Sequence, residues 1–249
     1  MANLTRLKML ESFDGVVLTD KPAGVPFASV VKAFKRKYNI EKVGHGGSLD
    51  PGASGLLVLL INGANSRTGD VMGADRSWEG TFRLGLKTDT NDVHGSPLPG
   101  FPVSGPVPPP ERIAAAAAEL KGDVFLVESG KCSVRREGSA SWEVADTGVH
   151  KPFLAHVYRF DPAPTPEDGA TALPASLRFS LRGTKGVIVR SLADAFGDAL
   201  GCGASLETCR RTAVGHFSVA DAVPLARLLD PAIDDFRVMA LPMSKAFAR

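Results

Sequence analysis

Apolar and polar positions recur along the chain with two different periods, which together predict a mixture of strands and helices. Residues 78–86 and 177–181 alternate with period two, as half-buried strands do. Residues 30–38 instead carry apolar side chains at helical spacing, and the unbroken apolar run at residues 56–61 is typical of a fully buried strand. Because these elements are intermixed with long loops, the pattern indicates an α+β fold with a mixed, mostly antiparallel sheet flanked by helices.

The remaining elements follow from the same periods and from cap and turn residues. Ser29 is the predicted N-cap of the helix at residues 30–38, and residues 96–110 hold seven prolines and are expected on the surface. We expect a single domain over residues 1–249 with a core at about 15–220. Further strands are predicted at residues 15–18 and 151–160, and further helices at residues 64–72, 113–120, 139–146, 187–200 and 204–211.

Composition narrows the class of protein. The chain is 44% hydrophobic and 22% charged, a globular balance, and its longest apolar run is far too short to span a membrane. With no apolar core of a signal peptide at the N-terminus, we expect a cytoplasmic protein, and a monomer. Its three cysteines form no CxxC pair and its five histidines show no ligand spacing, so no metal is expected.

The net charge of +2 is too small to identify a nucleic-acid-binding protein, so the distribution of charge matters more. The helix at residues 30–38 concentrates cations opposite its apolar face. Such a face is either an ordinary solvated surface or a surface that contacts phosphates. The cations are Lys32, Lys35, Arg36 and Lys37.

Residues 44–55 are the segment richest in candidate chemistry, with five glycines in twelve positions immediately before the predicted buried strand. Glycine at this density lets the backbone approach a ligand closely or adopt positive φ. The reactive side chains here are His45, Ser48, Asp50 and Ser54. The segment is not a P-loop, because no Gly-Lys-Ser/Thr closes it, and it lacks the GxSxG spacing of a nucleophile elbow.

The string VGHGGSLDPGASG at residues 43–55 resembles the GHxGxLDPxAxG signature of the TruB family of tRNA pseudouridine synthases. The resemblance extends to DKPAG at residues 20–24, LGLKTDTND at 84–92 and GVIVRSL at 186–192, and then to GCGA at 201–204 and RRT at 210–212. These segments stand in family order, so the chain is similar to this family over most of residues 15–220.

The resemblance implies a pseudouridine synthase fold with a central catalytic cleft, a reaction without metal or organic cofactor, and roles for particular residues. Asp50 would be the carboxylate that attacks the target nucleoside, so that uracil detaches, rotates and rejoins through carbon. Arg190 would pair with Asp50, since a guanidinium partner keeps a carboxylate ionised and fixes its orientation. Lys21 would lie near the floor of the site, Asp92 would be a polar group in it, and His45 would lie near the flipped nucleotide.

Three positions depart from the family pattern. Trp78 stands where the family has a tyrosine, and its indole is expected to stack on the flipped uracil. Ile188 replaces a second tyrosine, and Cys209 replaces a leucine and is expected to act as a small buried hydrophobe. All three are candidate substrate-binding residues.

The sequence continues for 38 residues after Arg211, so we expect it to lack the C-terminal PUA domain that many family members carry. The catalytic domain would then hold the RNA itself. Besides the four cations of the helix at residues 30–38, Arg210 and Arg211 are candidate contacts with the RNA backbone.

Two classes of function remain open at this point. The first is an enzyme that modifies the T-loop uridine 55 of tRNA, bound through the T-arm and without an obligatory protein partner, or one that acts on another RNA. The second is a non-catalytic RNA-binding or RNA-folding factor, which the substitutions at Trp78, Ile188 and Cys209 would favour. The presence of Asp50 and Arg190 favours the enzyme.

Overall fold

We analysed a computed structural model of the chain, which describes residues 13–134, 143–146, 148, 151–166 and 168–248. These residues form two compact units. Unit 1 combines the residues up to Ala74 with those from Arg211 onward, and unit 2 spans Asp75–Arg210. No helix in the described part of the chain is long and apolar enough to cross a lipid bilayer.

The helices and strands are short to medium in length. The α-helices are α1 (Phe27–Tyr38), α2 (Thr68–Gly73), α3 (Pro110–Glu119), α4 (Val189–Leu200), α5 (Leu225–Leu228) and α6 (Met243–Ala246). The strands are β1 (Gly15–Lys21), β2 (Val43–His45), β3 (Ser54–Ile61), β4 (Arg76–Leu84), β5 (Gly105–Pro106), β6 (Gly122–Val127), β7 (Lys131–Val134), β8 (Glu143–Asp146), β9 (Pro152–Pro162), β10 (Ala172–Leu173), β11 (Ala175–Gly183), β12 (Ala204–Val214), β13 (Phe217–Ser218), β14 (Val223–Pro224) and β15 (Ala240–Pro242). Short 3₁₀ helices cover Asn62–Arg67, Val219–Asp221 and Phe236–Met239.

Unit 1 is built on the antiparallel pair β1 and β3, which are in register from Gly15 opposite Ile61 to Lys21 opposite Gly55. β2 pairs with β3 in antiparallel orientation. β15 pairs with β1 in antiparallel orientation, and β14 pairs with β1 in parallel orientation. Successive leucines of β3 point to opposite faces, and both faces are covered by apolar side chains. The predicted fully buried strand at residues 56–61 is therefore confirmed.

One face of this sheet packs against α1 and the C-terminal segment. Phe34 and Tyr38 of α1 contact the ring of Phe236, each with ring centroids 5.4 Å apart. The Tyr38 hydroxyl donates to the carbonyl of Leu228 at 2.7 Å. Residues 223–246, beyond the predicted core at 15–220, thus complete the core of unit 1.

Unit 2 is an antiparallel sheet in the order β4–β11–β9–β6. α3 and α4 cover one face, where Phe82 stacks on Phe179 with centroids 4.1 Å apart and Phe160 meets Phe196 of α4 edge to face. β7 pairs with β8 and β5 with β10 in two separate two-stranded antiparallel sheets. The α+β class and the mostly antiparallel sheets agree with the prediction. None of residues 96–110 is buried, as their proline content predicts.

Three local predictions are wrong. α1 begins at Phe27 after Pro26, not at a Ser29 cap, because proline fits a helix start where no N–H donor is required. Residues 143–146 are strand β8, paired with β7, and the rest of the predicted helix at 139–146 lies outside the described residues.

The third error is the predicted helix at residues 204–211, which is strand β12. α4 ends at Gly201 with φ 80°, and Gly203 has φ 72°, so two left-handed residues turn the chain before Ala204. The helix could not continue through that turn. The side chains of Ser205, Cys209 and Arg211 are buried, and the alternation of a strand fits them better than a helical period.

Candidate active site

Asp50 lies in unit 1 on the loop that joins β2 to β3, and its side chain is exposed. The neighbouring Leu49 and Ala53 are buried and anchor the loop to the core. The N–H of Ala53 donates to the carbonyl of Asp50 at 3.0 Å, which closes a tight turn around Pro51 and Gly52. The loop therefore presents a carboxylate to the outside of unit 1 on a fixed backbone.

The glycines of this loop are required by close packing at two positions. Gly55 has φ +103°, and a Cβ there would lie 2.3 Å from the carbonyl oxygen of Arg211. A Cβ on Gly46 would lie 2.3 Å from Cγ1 of Val71. The glycine-rich pattern thus reflects a backbone held tightly against β12 and α2.

Lys21, at the end of β1, is fully buried below this loop. Its Nζ donates to the carbonyls of Val25 at 2.7 Å, Pro22 at 3.0 Å and Pro51 at 3.3 Å. Burial lowers the pKa of Lys21 from 10.5 to about 8; attraction by Asp50 opposes this shift and repulsion by Arg211 adds to it. The expected place of Lys21 near the floor of the site, and its role in catalysis, stay predictions.

Arg211, on β12, is the second buried cation, with only 2% of its surface exposed. Its guanidinium donates to the carbonyls of Ser48 at 2.8 Å, Leu56 at 2.9 Å and Gly47 at 3.2 Å. The prediction that Arg211 contacts the RNA backbone is therefore wrong, because this guanidinium lies inside unit 1 and binds the Asp50 loop. The period-two pattern of residues 209–211 was the signal that could have placed Arg211 inward.

His45 is half-buried at the end of β2. Its Nδ1 accepts from the N–H of Gly47 at 3.3 Å, and its ring lies 4.8 Å from that of Phe27. These contacts orient the imidazole at the start of the Asp50 loop. Its expected place near a flipped nucleotide stays a prediction.

Arg190 lies in unit 2, in the first turn of α4, and is 8% exposed. Its Nη1 donates to the carbonyls of Lys131 at 3.1 Å and Thr90 at 3.5 Å, and its Nη2 lies 3.7 Å from Oε1 of Glu128. The loop after β4 and the residues that follow β6 thus hold this guanidinium in place. An ordinary surface arginine would lack such contacts. Its pairing with Asp50 stays a prediction.

Asp92 belongs to a tight polar turn. Its Oδ1 accepts from Thr90 Oγ1 at 3.0 Å and from the N–H of His94 at 2.9 Å, while Asn91 has φ 60°. Leu206 of β12 exchanges backbone hydrogen bonds with Asn91 and Val93 on either side of it. Asp92 therefore stabilises the turn whose Thr90 carbonyl accepts a hydrogen bond from Arg190. A contact of Asp92 with substrate stays a prediction.

Three ion pairs and one hydrogen bond around this turn were not anticipated from the sequence. Lys131 Nζ lies 3.0 Å from Oδ2 of Asp89, and Ser129 Oγ donates to the Asp89 carbonyl at 2.6 Å. Lys87 bridges to α4 through Asp194 at 2.9 Å and Asp198 at 2.6 Å. No local pattern indicates these pairs, because their partners lie 40 or more residues apart.

The three positions that depart from the family pattern occupy different environments. Trp78, on β4 opposite Leu181, is 6% exposed. Ile188 is half-buried and immediately precedes α4. Cys209 is buried on β12, as expected of a small hydrophobe. Contact of any of them with a nucleotide stays a prediction.

The cations of α1 divide into two groups. Lys32 and Arg36 are exposed and Lys35 is half-buried, whereas Nζ of Lys37 donates to the carbonyls of Leu228 at 3.0 Å and Asp230 at 2.5 Å. Lys37 therefore ties α1 to the C-terminal segment of unit 1. Arg210 is half-buried, and its Nε lies 4.0 Å from Oε1 of Glu79.

Comparison with known proteins identifies the family. A model described as the N-terminal domain of TruB family pseudouridylate synthase matches residues 35–160, and one described as the tRNA pseudouridylate synthase B C-terminal domain matches residues 190–247. The tRNA pseudouridine synthase B of Opitutus terrae is 34% identical over 242 residues, which cover 95% of each chain. The enzyme of that name from Burkholderia pseudomallei is 37% identical over 235 residues, 91% of this chain and 72% of that one.

Among solved structures, the chain is similar to one in a Cbf5–Nop10–Gar1 complex, with a TM-score of 0.67 and 25% identity. The match covers 96% of this chain and 63% of that one, so this chain spans less than two thirds of its length. A structure of an H/ACA RNP bound to a substrate RNA gives the same TM-score and identity. With family models at both ends and relatives above 30% identity over nearly the whole length, the chain belongs to the TruB family of pseudouridylate synthases.

Proposed function

We propose that this protein isomerises uridine 55 in the T loop of tRNA to pseudouridine in the cytoplasm, as a monomer, with Asp50 as the catalytic carboxylate and without a cofactor. The observation that carries the proposal is Asp50 itself. It is an exposed carboxylate on a loop whose backbone is bound by two buried cations, Lys21 and Arg211. Membership of the TruB family and the names of the relatives support tRNA as the substrate.

The chemistry needs no oxidant or reductant. Asp50 attacks the nucleoside and displaces uracil from ribose by breaking the C1′–N1 bond, and it departs when the ring rejoins through C5. C5 then loses its hydrogen as a proton while N1 takes one up, so the product is an isomer of the substrate. Because a stacked base cannot be reached, the uridine must first leave the loop and enter the site.

Other residues would assist in separate ways. Arg190 would pair with the Asp50 carboxylate and hold its orientation, which the buried position and carbonyl contacts of this guanidinium would support. Trp78 would stack on the flipped uracil in place of a tyrosine, and His45, Asp92, Ile188 and Cys209 would line the nucleotide site. Exposed cations of α1 and Arg210 would contact the RNA backbone.

The proposal is tested with a tRNA transcript that carries tritium at C5 of its uridines. Only isomerisation exchanges that hydrogen, so the protein should release tritium from the normal transcript and none from a matched transcript with cytidine at position 55. Equal release from both would assign the activity to another uridine. Binding of both without release would favour the RNA-binding alternative.

A further inference from the structure

We propose that Arg211 is a positioning residue for Asp50: its guanidinium joins the two ends of the loop that carries the aspartate and sets where the carboxylate lies. This inference rests on the proposed role of Asp50. It gives Arg211 a function in the chemical step in place of the contact with RNA that its charge suggested.

The hydrogen bonds of Arg211 fall on both sides of Asp50 in sequence. Gly47 and Ser48 precede the aspartate and Leu56 follows it, yet their three carbonyls meet one planar guanidinium at 2.8–3.2 Å. One side chain thus closes the base of the loop between residues 47 and 56. The guanidinium carries its donors on three nitrogens in one rigid plane and so reaches carbonyls at both ends of the loop, whereas a lysine carries all its donors on one nitrogen.

The backbone around Arg211 is fitted to this arrangement. Gly55 approaches Arg211 so closely that a Cβ would lie 2.3 Å from its carbonyl oxygen, and the φ of +103° at Gly55 lets β3 make that approach. On the far side of Asp50, Lys21 donates to the carbonyl of Pro51 at 3.3 Å. The peptide units on both sides of the aspartate are therefore bound to buried cations, and Asp50 lies between them.

The burial of Arg211 favours positioning of Asp50 over contact with RNA. With 2% of its surface exposed, the guanidinium cannot reach a phosphate without leaving the core of unit 1. Its neighbour Arg210 lies on the opposite face of β12, with its Nε 4.0 Å from Oε1 of Glu79, and makes none of these three bonds. A displacement of a reacting group by about 1 Å can lower the rate about 100-fold, so loss of the fork should act on kcat.

The test compares Arg211→Ala and Arg211→Lys in the tritium-release assay, with thermal melting to establish that each variant folds. We expect both to lower kcat about 100-fold while KM for tRNA stays near its original value. Guanidinium ion at millimolar concentration should restore part of the kcat of Arg211→Ala, and methylammonium should not. Arg227→Ala, which removes an exposed arginine of the same unit outside the proposed site, is the control and should gain nothing from guanidinium.

Several results would overturn the proposal. A raised KM with unchanged kcat would make Arg211 an RNA contact, and full kcat in Arg211→Lys would show that charge alone matters. Failure of guanidinium to restore a folded Arg211→Ala, or failure of both variants to fold, would make the residue merely structural. Absence of release by the unaltered protein would refute the proposed function first, and this inference with it.

Discussion

At the scale of single residues, the candidate site depends on two cations that are buried in the core, where a charge is energetically unfavourable. An unpaired charge in a protein core is strongly unfavourable unless hydrogen bonds replace its lost water. Lys21 and Arg211 each meet this condition with three backbone carbonyls. Three of those six carbonyls, on Gly47, Ser48 and Pro51, belong to the loop of Asp50, so the burial of the cations and the shape of the loop depend on each other.

The titration of Lys21 gives a prediction for stability. Burial lowers its pKa from 10.5 to about 8, so between these pH values the unfolded chain binds more protons than the folded protein. The free energy of unfolding should therefore rise with pH across this window, by about 3 kcal/mol at about 1.4 kcal/mol per pKa unit. Urea unfolding between about pH 7 and 10 measures this rise.

Lys21→Met is the control for that measurement, because it removes the amine and keeps an unbranched side chain of similar length. The pH-dependent difference between the two proteins reports the contribution of Lys21, since Lys21 is the only ionisable group that differs between them. Parallel stability curves for the unaltered protein and Lys21→Met would show that the pKa of Lys21 is not lowered.

Trp78 gives a prediction for activity. If its ring stacks on the flipped uracil, as proposed, Trp78→Tyr should keep most of kcat/KM. Trp78→Ala should lose about tenfold to 100-fold, because stacking on a base contributes about 1–3 kcal/mol. Steady-state tritium release measures both.

Since Trp78 is 6% exposed, its removal also disturbs the packing of β4. Leu181→Ala supplies a matched control, because Leu181 is the buried cross-strand partner of Trp78. If Leu181→Ala and Trp78→Ala lose equal activity at equal loss of stability, the indole acts only as core packing.

At the scale of elements, α1 presents two faces with separate tasks. Its apolar face packs Phe34 and Tyr38 on Phe236, and its cations lie elsewhere on the helix. The sequence predicted both faces, but it could not show that Lys37 is bonded to the carbonyls of Leu228 and Asp230, because those residues lie some 190 positions away. In the described part of the chain, the cations of α1 without such a bond are Lys32, Lys35 and Arg36.

Neutralising these three cations should weaken tRNA binding. We expect the triple variant Lys32→Gln, Lys35→Gln and Arg36→Gln to reduce the slope of log K against log salt by up to about 2 to 3, since each phosphate contact contributes about 0.7–0.9. Filter binding over a range of salt concentrations measures this slope.

A matched control is the triple Gln variant at Lys121, Arg159 and Arg182, three exposed cations of unit 2 that already have acidic partners. An unchanged slope in the α1 variant would identify its cations as a solvated surface. An equal reduction in both variants would show only the effect of total charge.

The elements that periodicity predicted and those it missed differ in what stabilises them. The run at residues 56–61 is apolar at every position, so a buried strand was predicted from local sequence alone. Ala204–Val214 has weaker local preference, and its conformation follows from the turn at Gly201 and Gly203 and from contacts such as Thr208 Oγ1 with the N–H of Thr81, 127 residues away. Such pairing cannot be seen in a local window.

At the scale of the whole molecule, the resemblance of the sequence motifs to the TruB family predicted the family and the loop of Asp50. The hydrogen bonds from Arg211 that hold this loop were found only in the structure. Arg211 was predicted as a contact for RNA because its charge suggested a surface position. Its inward orientation depends on β12 lying beside Gly55, which joins residues 156 positions apart. The C-terminal residues that complete the core of unit 1 were missed for the same reason.

The central claim is that Asp50 performs the chemistry, and tritium release by Asp50→Asn tests it most directly. Asparagine is nearly the same size but cannot act as an anionic nucleophile or base. We expect turnover to fall at least several thousand-fold, equivalent to about 5 kcal/mol or more of activation free energy, while tRNA binding and thermal stability are largely kept. Release by Asp50→Asn at a rate comparable to that of the unaltered protein would contradict the account.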